Sequence, residues 1–389
     1  MDGDCLERYE ASYYLKSASL ELTSKCNLRC TYCSVSQPGY LGLTMSSENE
    51  DAALAGLRAM KVNDVALNGH GETTMLKDWS RVAKAMRETG ARVHLTSNFS
   101  RPFSKEELRE LAALTSVIVS LDTDDPDLLK RVRRNVSLDV ILDNIRGLKD
   151  AARRRGLRGP VIIASCVVHA QNVMHLNRFV RFALHNGIKG FSFCNLIKNA
   201  DLPGALNVDH VTTLPPDQLA AAHGMIIEAR GIAISKGASC EVQSGLLDSI
   251  EQKLKVSNLA VETTIQNKRR HFTAPRAGET RRCFDPWFFA LIQADASVRP
   301  CCWHPAVGSL AHESLDAIMN GGSVISLRRQ LMGGELNEYC ATCPAKPVIP
   351  VTDFRELVQR EVARSPLIGK VRRGGIAVKQ FIRRHKAIA

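Results

Sequence analysis

The sequence predicts an α/β chain: a partial (β/α)6, TIM-like barrel followed by a small cysteine-rich α+β module. Short apolar runs alternate with amphipathic stretches through the first half, the order of parallel βα units. Six such units can be counted, and a closed eight-stranded barrel needs two more. At 389 residues the chain is too long for one small core. Seven of its twelve cysteines, or eight with Cys302, gather in two groups near the ends.

The strand-like runs are 18–23, 64–69, 92–97, 116–122, 160–168 and 190–197. Helical patterns lie between them near 47–60, 77–89, 104–114, 126–154 and 173–186. Leu108, Leu111 and Ala112, for instance, fall on one helical face. Helices near 216–234 and 244–256 flank "ASCEVQ", a candidate seventh strand. Residues 263–282 are polar, basic and punctuated by Pro and Gly, which predicts a linker or mobile loop. After it "FALIQADASVRPCCWH" reads as two strands around a polar turn at Ala294–Ser297, and "VGSLAHESLDAIMNGG" as a turn leading into a helix. A helix near 353–364 and a basic tail close the chain. The predicted boundaries are 1–17 (extension), 18–262 (barrel and following helices), 263–282 (linker), 283–348 (cysteine module) and 349–389 (helix and tail).

Apolar content of 44% with 24% charged residues describes an ordinary soluble protein. The N-terminus carries acid where a signal peptide needs a basic start. No apolar run approaches the roughly 18 residues of a membrane span. A cytoplasmic location is therefore expected, where disulfides are rare and tightly spaced cysteines point to metal. The net charge is +12, and residues 366–389 hold seven Lys or Arg and no acid, leaving about +5 on the body. That tail suits an interfacial helix on anionic lipid, a clamp on a phosphate-bearing partner, or a solvated end. Aromatics are only 5% of the chain, which argues against nucleic acid.

"LTSKCNLRCTYCSVS" places Cys26, Cys30 and Cys33 in a C-x3-C-x2-C run directly after the first strand. The C-terminal ends of parallel strands are where such folds put chemistry. Structural zinc wants four ligands, and Cys5 is about twenty residues upstream. A [4Fe–4S] cluster takes one thiolate per iron, so three cysteines leave one iron open to a ligand; zinc with a distant fourth ligand is the alternative. The second strand ends in "NGHGET", where Gly69 and Gly71 permit positive φ or close approach of backbone to a ligand. Cys283, Cys301, Cys340 and Cys343 are a full set for one buried cluster or one zinc. Composition alone favours zinc there.

The cysteine spacing resembles that of the radical S-adenosylmethionine (radical SAM) family, and so do its surroundings over roughly 18–200. Tyr32 is the aromatic residue often found before the third cysteine. Asn68, Gly69, His70, Gly71 and Glu72 resemble the glycine-rich turn whose Glu binds the methionine amino group, with His70 where a second glycine is commoner. The likeness assigns Asn98 a polar contact, Ser120 and Asp122 the ribose side, and Arg133, in preference to Arg131 or Arg134, the methionine carboxylate. The second cysteine group is similar to the "twitch" module, a short relative of the SPASM domain. Ala296 stands where its turn usually has Gly, and no cysteine follows Cys343 to build a second auxiliary cluster. Cys302 reads as a neighbouring ligand, a redox thiol or, preferably, a packed thiol.

The resemblance implies SAM and two [4Fe–4S] clusters, with an external one-electron donor such as flavodoxin or ferredoxin. It implies cleavage of SAM to a 5′-deoxyadenosyl radical that takes hydrogen from a substrate C–H, with the protein placing that bond and excluding water. A fully ligated auxiliary cluster suits electron acceptance, hence dehydrogenation of an alcohol to a ketone on an aminocyclitol, sugar or anionic nucleotide sugar. Epimerisation is close behind and needs a thiol. Cys194 and Cys166 lie on predicted strands, although such cysteines usually pack as small hydrophobes. Lys198 is a candidate base or phosphate contact, or a solvated lysine. A peptide modifier or sulfatase maturase is the alternative, disfavoured here because only about 17 residues precede the first strand. A non-catalytic iron–sulfur or zinc scaffold, or an electron carrier, is the reading from another class.

Overall fold

The computed structural model describes residues 14–196, 208–257 and 274–363. Seven parallel strands form the body: β1 Ser17–Leu20, β2 Asp64–Leu67, β3 Arg92–Ser97, β4 Ser116–Ser120, β5 Val161–Val168, β6 Gly190–Asn195 and β7 Ser239–Val242. They pair in chain order, so the candidate seventh strand is real. The helices covering them are α1 Ser47–Ala59, α2 Trp79–Glu88, α3 Lys105–Leu111, α4 Pro126–Arg133, α5 Leu138–Arg154, α6 Leu176–His185, α7 Pro216–Ser235 and α8 Ser244–Val256. Local sequence starts them: Ser46 accepts the Asn49 amide at the head of α1, and Ser104 with Glu107 closes a capping box on α3. Asp125 caps α4 with Pro126 in its first turn.

The pattern at 126–154 proves to be two helices. Arg134 (φ 26°) and Asn135 (φ 61°) break it, and no α-helix continues through positive φ.

The C-terminal segment adds β8 Glu279–Arg281, α9 Asp285–Phe288, β9 Phe289–Ile292, β10 Ser297–Arg299, β11 Gly308–Ser309, α10 Leu315–Met319, α11 Gly322–Gly333, α12 Glu338–Ala341, β12 Val348–Pro350 and α13 Val351–Ala363. Two features depart from expectation. β8 lies inside the expected linker; its partner β12 is some 67 residues away, beyond the reach of local pattern. And β9 pairs in parallel with β1, so β11-β10-β9-β1-β2-β3-β4-β5-β6-β7 is one ten-stranded sheet. The sheet ends in two edges rather than closing.

The two faces of this sheet differ. Val65, Leu67, Val93, Leu95, Val117 and Val119 point to the helices and are buried in one core with Leu57, Val82, Leu111, Ile145 and Phe179. The other face carries Arg299, Leu291, Ser19, Ala66, His94 and Ser116 in register across six strands. Nearer the strand ends, Ser120, Ser165, Ser192 and Glu241 continue it. An all-parallel sheet usually buries apolar side chains on both faces. This one mixes polar groups with Leu291, Ile118 and Ile163 on its second face, which lines a trough.

A second apolar cluster of Trp287, Phe288, Leu331, Met332, Phe354 and Val358 holds the C-terminal module together. No helix among the described residues is long and apolar enough to cross a membrane. Cys5, Lys198 and the basic tail 366–389 lie outside the described residues.

Candidate active site

The residues singled out after strands β1 to β4 meet at one end of the trough. The loop bearing Cys26, Cys30 and Cys33 is fixed at three points. The Glu72 amide donates to the Lys25 carbonyl (2.8 Å). Asn98 Nδ2 donates to Asn27 Oδ1 (2.9 Å) and approaches Cys26 Sγ (3.8 Å). The Thr31 amide donates to the Val132 carbonyl at the end of α4 (2.8 Å). Burial pushes the Cys30 thiol up to about 12, and burial raises Cys26 as well. A thiol held so high is protonated at neutral pH unless a metal displaces the proton.

The NGHGET turn needs its glycines for close approach alone, since neither Gly69 nor Gly71 has positive φ. A Cβ on Gly71 would overlap the Thr23 and Lys25 carbonyls, and one on Gly69 would overlap the Glu21 carboxylate. Gly71 thus lies against the backbone leading into the cysteine loop, and Gly69 against Glu21. Buried Glu72 accepts from the Thr74 amide (3.1 Å), the Thr74 hydroxyl (2.6 Å) and the Asn98 amide (2.6 Å). A carboxylate offers about four acceptor sites, so roughly one remains for a ligand ammonium.

Asp122 corrects its expected ribose role. Oδ2 accepts from the Tyr32 hydroxyl and Arg133 Nε, both at 2.8 Å. Oδ1 accepts from Arg133 Nη2 (3.0 Å) and the Val167 amide (2.9 Å). At 1% exposure and with every acceptor site taken, it has nothing left for a ribose hydroxyl. Arg133 is committed to the same bidentate pair, leaving Nη1 as the nitrogen not spent on Asp122. Ser120 is half-buried on the trough face, as a ligand contact requires.

The two candidate thiols separate by face. Cys166 pairs in register with Phe193 and is fully buried. Phe193 shares a face with Phe191, which packs edge-on against Phe179 of α6. Cys166 therefore looks into the helix layer, donating to the Asp122 carbonyl (3.4 Å), and is not a trough thiol. Cys194 pairs with Val167 on the other face and sits 3.6 Å from both the Ser165 and Ser192 hydroxyls.

In the module, Cys283, Cys301, Cys302, Cys340 and Cys343 line one cleft with His304 and the Asp285–Lys346 ion pair (2.9 Å). Cys302 is exposed, so packing does not explain it. Burial lifts Cys301 to about 11 and Cys340 to about 12. Arg281, unmarked by the sequence, spends its guanidinium on the carbonyls of Cys340 (3.1 Å), Ala341 (2.6 Å) and Lys346 (3.0 Å), clamping the CATC loop. Ala296 has φ 65°, which explains the usual glycine at that turn.

Comparison with known proteins bears on this constellation directly. The radical SAM superfamily model matches residues 20–183, and an iron–sulfur cluster-binding (SPASM) domain matches 283–344.

The chain carries a radical SAM domain.

Its C-terminal module is accordingly of the SPASM/twitch kind. Among curated relatives, a GTP 3′,8-cyclase of Aeromonas hydrophila is 26% identical over 234 residues, 56% of this chain and 64% of that one. The PqqA peptide cyclase of Rhodopseudomonas palustris is 23% identical over 343 residues, 85% of this chain and 79% of that one. The chain thus spans less than two thirds of the first curated relatives it matches. Streptococcus suis SuiB bound to S-adenosylmethionine superposes with a TM-score of 0.60 at 14% identity, over 88% of this chain and 75% of SuiB. SuiB bound to its precursor peptide SuiA gives 0.57 at 13% identity, over 83% and 68%.

SAM and [4Fe–4S] clusters are the cofactors of these domains. Among the described residues no three His, Cys, Asp or Glu side chains converge closely enough to grip a metal between them. The donor chemistry nonetheless fits a radical SAM enzyme, with three neighbouring thiols on a fixed loop and four or five around one cleft.

Two residues of this site escaped the sequence. Glu21, at the end of β1, is buried and joins three segments. Oε1 accepts from the His70 amide (2.6 Å) and lies 3.2 Å from His70 Nδ1. Oε2 accepts from the Ala294 amide in the β9–β10 turn (3.2 Å). Burial pushes Glu21 up, but the bonds from His70 and Ala294 outweigh it and hold it low. His70 is raised by its Glu21 bond. The pair opens onto a cleft of about 540 Å³ shared with Gln37, Tyr40 and Gln293, within the size range of ligand sites. Arg299 is the second. The strands' alternation of small polar with large apolar residues, as in "SASL" and "GFSFCN", was the available signal for the trough.

Proposed function

We propose that this radical SAM enzyme modifies a peptide, removing hydrogen from one of its C–H bonds and oxidising it by two electrons overall. The observation that carries this reading is the trough. It sets Ser19, His94, Ser116, Ser120, Ser165 and Ser192 beside Ile118, Ile163 and Leu291, runs from β7 to β10 across both parts of the molecule, and ends at two sheet edges. An extended chain with repeating amide groups fits such a surface, whereas a small sugar needs only one end of it. The alignment to the PqqA peptide cyclase, which covers 85% of this chain, supports the same substrate class. The sugar dehydrogenase and epimerase readings draw no comparable support.

Bound SAM and its cluster supply the radical chemistry. The chain's own groups do the rest. We assign Cys26, Cys30 and Cys33 to the SAM-side cluster, and Cys283, Cys301, Cys340 and Cys343 to the module cluster. Glu72, with one acceptor site left, orients the ammonium end of SAM. The Asp122–Arg133–Tyr32 knot keeps the cysteine loop seated on α4. Cys194 is the thiol on the trough face, beside Ser165 and Ser192.

The test uses peptide-sized material from the producing organism grown in deuterated medium. Reconstituted enzyme, SAM and reductant are added, and deuterium in 5′-deoxyadenosine is measured. A peptide substrate predicts transfer abolished by prior protease digestion. Transfer that survives protease but not phosphatase would instead identify a nucleotide or sugar phosphate.

A further inference from the structure

We propose that Arg299 is the substrate anchor of this site, binding a carboxylate of the peptide inside the trough; this rests on the peptide reading. Arg299 belongs to the C-terminal module but faces the barrel. Its register partner is Leu291, whose partner is Ser19 on the trough face of β1. It therefore lies one side-chain repeat below Glu21, at the mouth. Its Nε is buried without a hydrogen-bond partner, and among the described residues Arg299 enters no ion pair.

Arg299 as a whole is half-buried, and its buried Nε, left unpaired, costs the desolvation of that group. The neighbouring carboxylate does not relieve it, since Glu21 is engaged by His70 and Ala294. The Arg299 charge is felt instead by His70, whose protonation it disfavours. His70 engages that carboxylate and Arg299 does not, so the guanidinium fork is the group left to take an anion. Arg presents paired donors matched to carboxylate geometry. Because Arg299 and His70 come from the two parts of the molecule, a ligand held here is gripped by both.

The carboxylate can come from an Asp or Glu side chain or from a peptide C-terminus, and three probes separate these. Reconstituted full-length enzyme with SAM is titrated with acetyl-Gly-Gly-Glu-Gly-Gly-amide, its Gln counterpart, and acetyl-pentaglycine with a free C-terminus. The readout is saturation-transfer NMR, and inorganic triphosphate serves as the competing anion. A charge-assisted pair predicts that one carboxylate probe binds about tenfold or more tighter than the Gln peptide. The preference disappears in Arg299→Gln and is partly restored in Arg299→Lys, while iron content stays normal. A merely structural Arg299 would move affinity for all peptides alike.

Binding of both carboxylate probes no tighter than the Gln peptide, absence of binding by any probe, or a preference that survives Arg299→Gln overturns the proposal. If peptides bind without regard to Arg299, the peptide reading stands and only the anchor falls. If triphosphate alone binds, and does so through Arg299, the peptide reading itself has failed.

Discussion

Asp122 and Arg133 are each almost wholly buried and answer each other's charge, so deleting one strands the other. Asp122→Ala or Arg133→Met is expected to cost about 3–5 kcal/mol, read as a lower urea midpoint; an unchanged midpoint would show that water screens the pair. Arg281 acts on the module alone. Arg281→Met frees three carbonyls around Cys340–Cys343, and iron per chain should fall from about eight towards about four, one cluster's worth, with 5′-deoxyadenosine formation retained. Loss of both clusters would contradict a local role. His94 offers a pH test. Burial lowers its affinity for protons, against the opposing bond from Asp64, so the imidazole is neutral in the fold. The unfolded chain then binds the extra proton first, and stability rises with pH. His94's contribution is complete above its ordinary value of 6.5 and is lost as pH falls through the lower folded value. His94→Gln should flatten that part of the stability–pH curve. At this scale the sequence is readable where function is local: Cys26, Cys30 and Cys33 lie within eight residues and announce themselves. Glu21 does not, because its partners His70 and Ala294 are 49 and 273 residues away.

Elements were legible wherever one period sufficed. The strands appear as apolar runs because their helix-facing side chains are uniformly apolar, and α7 and α8 lie where the sequence reading places them. The α4–α5 break was hidden because apolar spacing continues through it, while the break itself is two backbone angles. β8 was hidden because three polar residues gain their structure only from β12. Contacts between elements are testable in the same terms. Gly56 on α1 lies where a Cβ would stand 2.6 Å from Leu315 Cβ at the start of α10. Gly56→Val forces these helices apart, and overpacking of this kind costs about 1–3 kcal/mol. Amide exchange should rise in α10 and β11 while β3 to β5 stay protected. Equal loosening throughout would mean that the module and barrel unfold as one unit.

At the scale of the whole molecule, the parallel pairing of β9 with β1 makes the cysteine module an extension of the barrel sheet rather than an appendage. That pairing could not be read from sequence, since it joins strands some 270 residues apart, and it is what brings Arg299 into the trough. It also sets the two cysteine groups on one framework. The measurement that bears most directly on this arrangement is iron and sulfide analysis with low-temperature electron paramagnetic resonance, with and without SAM. It compares the wild type, a Cys26/Cys30/Cys33→Ala variant and a Cys283/Cys340→Ala variant, all reconstituted without air. The prediction is about eight irons in the wild type and about four in each variant. Added SAM should alter only the signal that the first variant lacks. About four irons with zinc in the wild type, or a SAM response that survives loss of Cys26, Cys30 and Cys33, would contradict it.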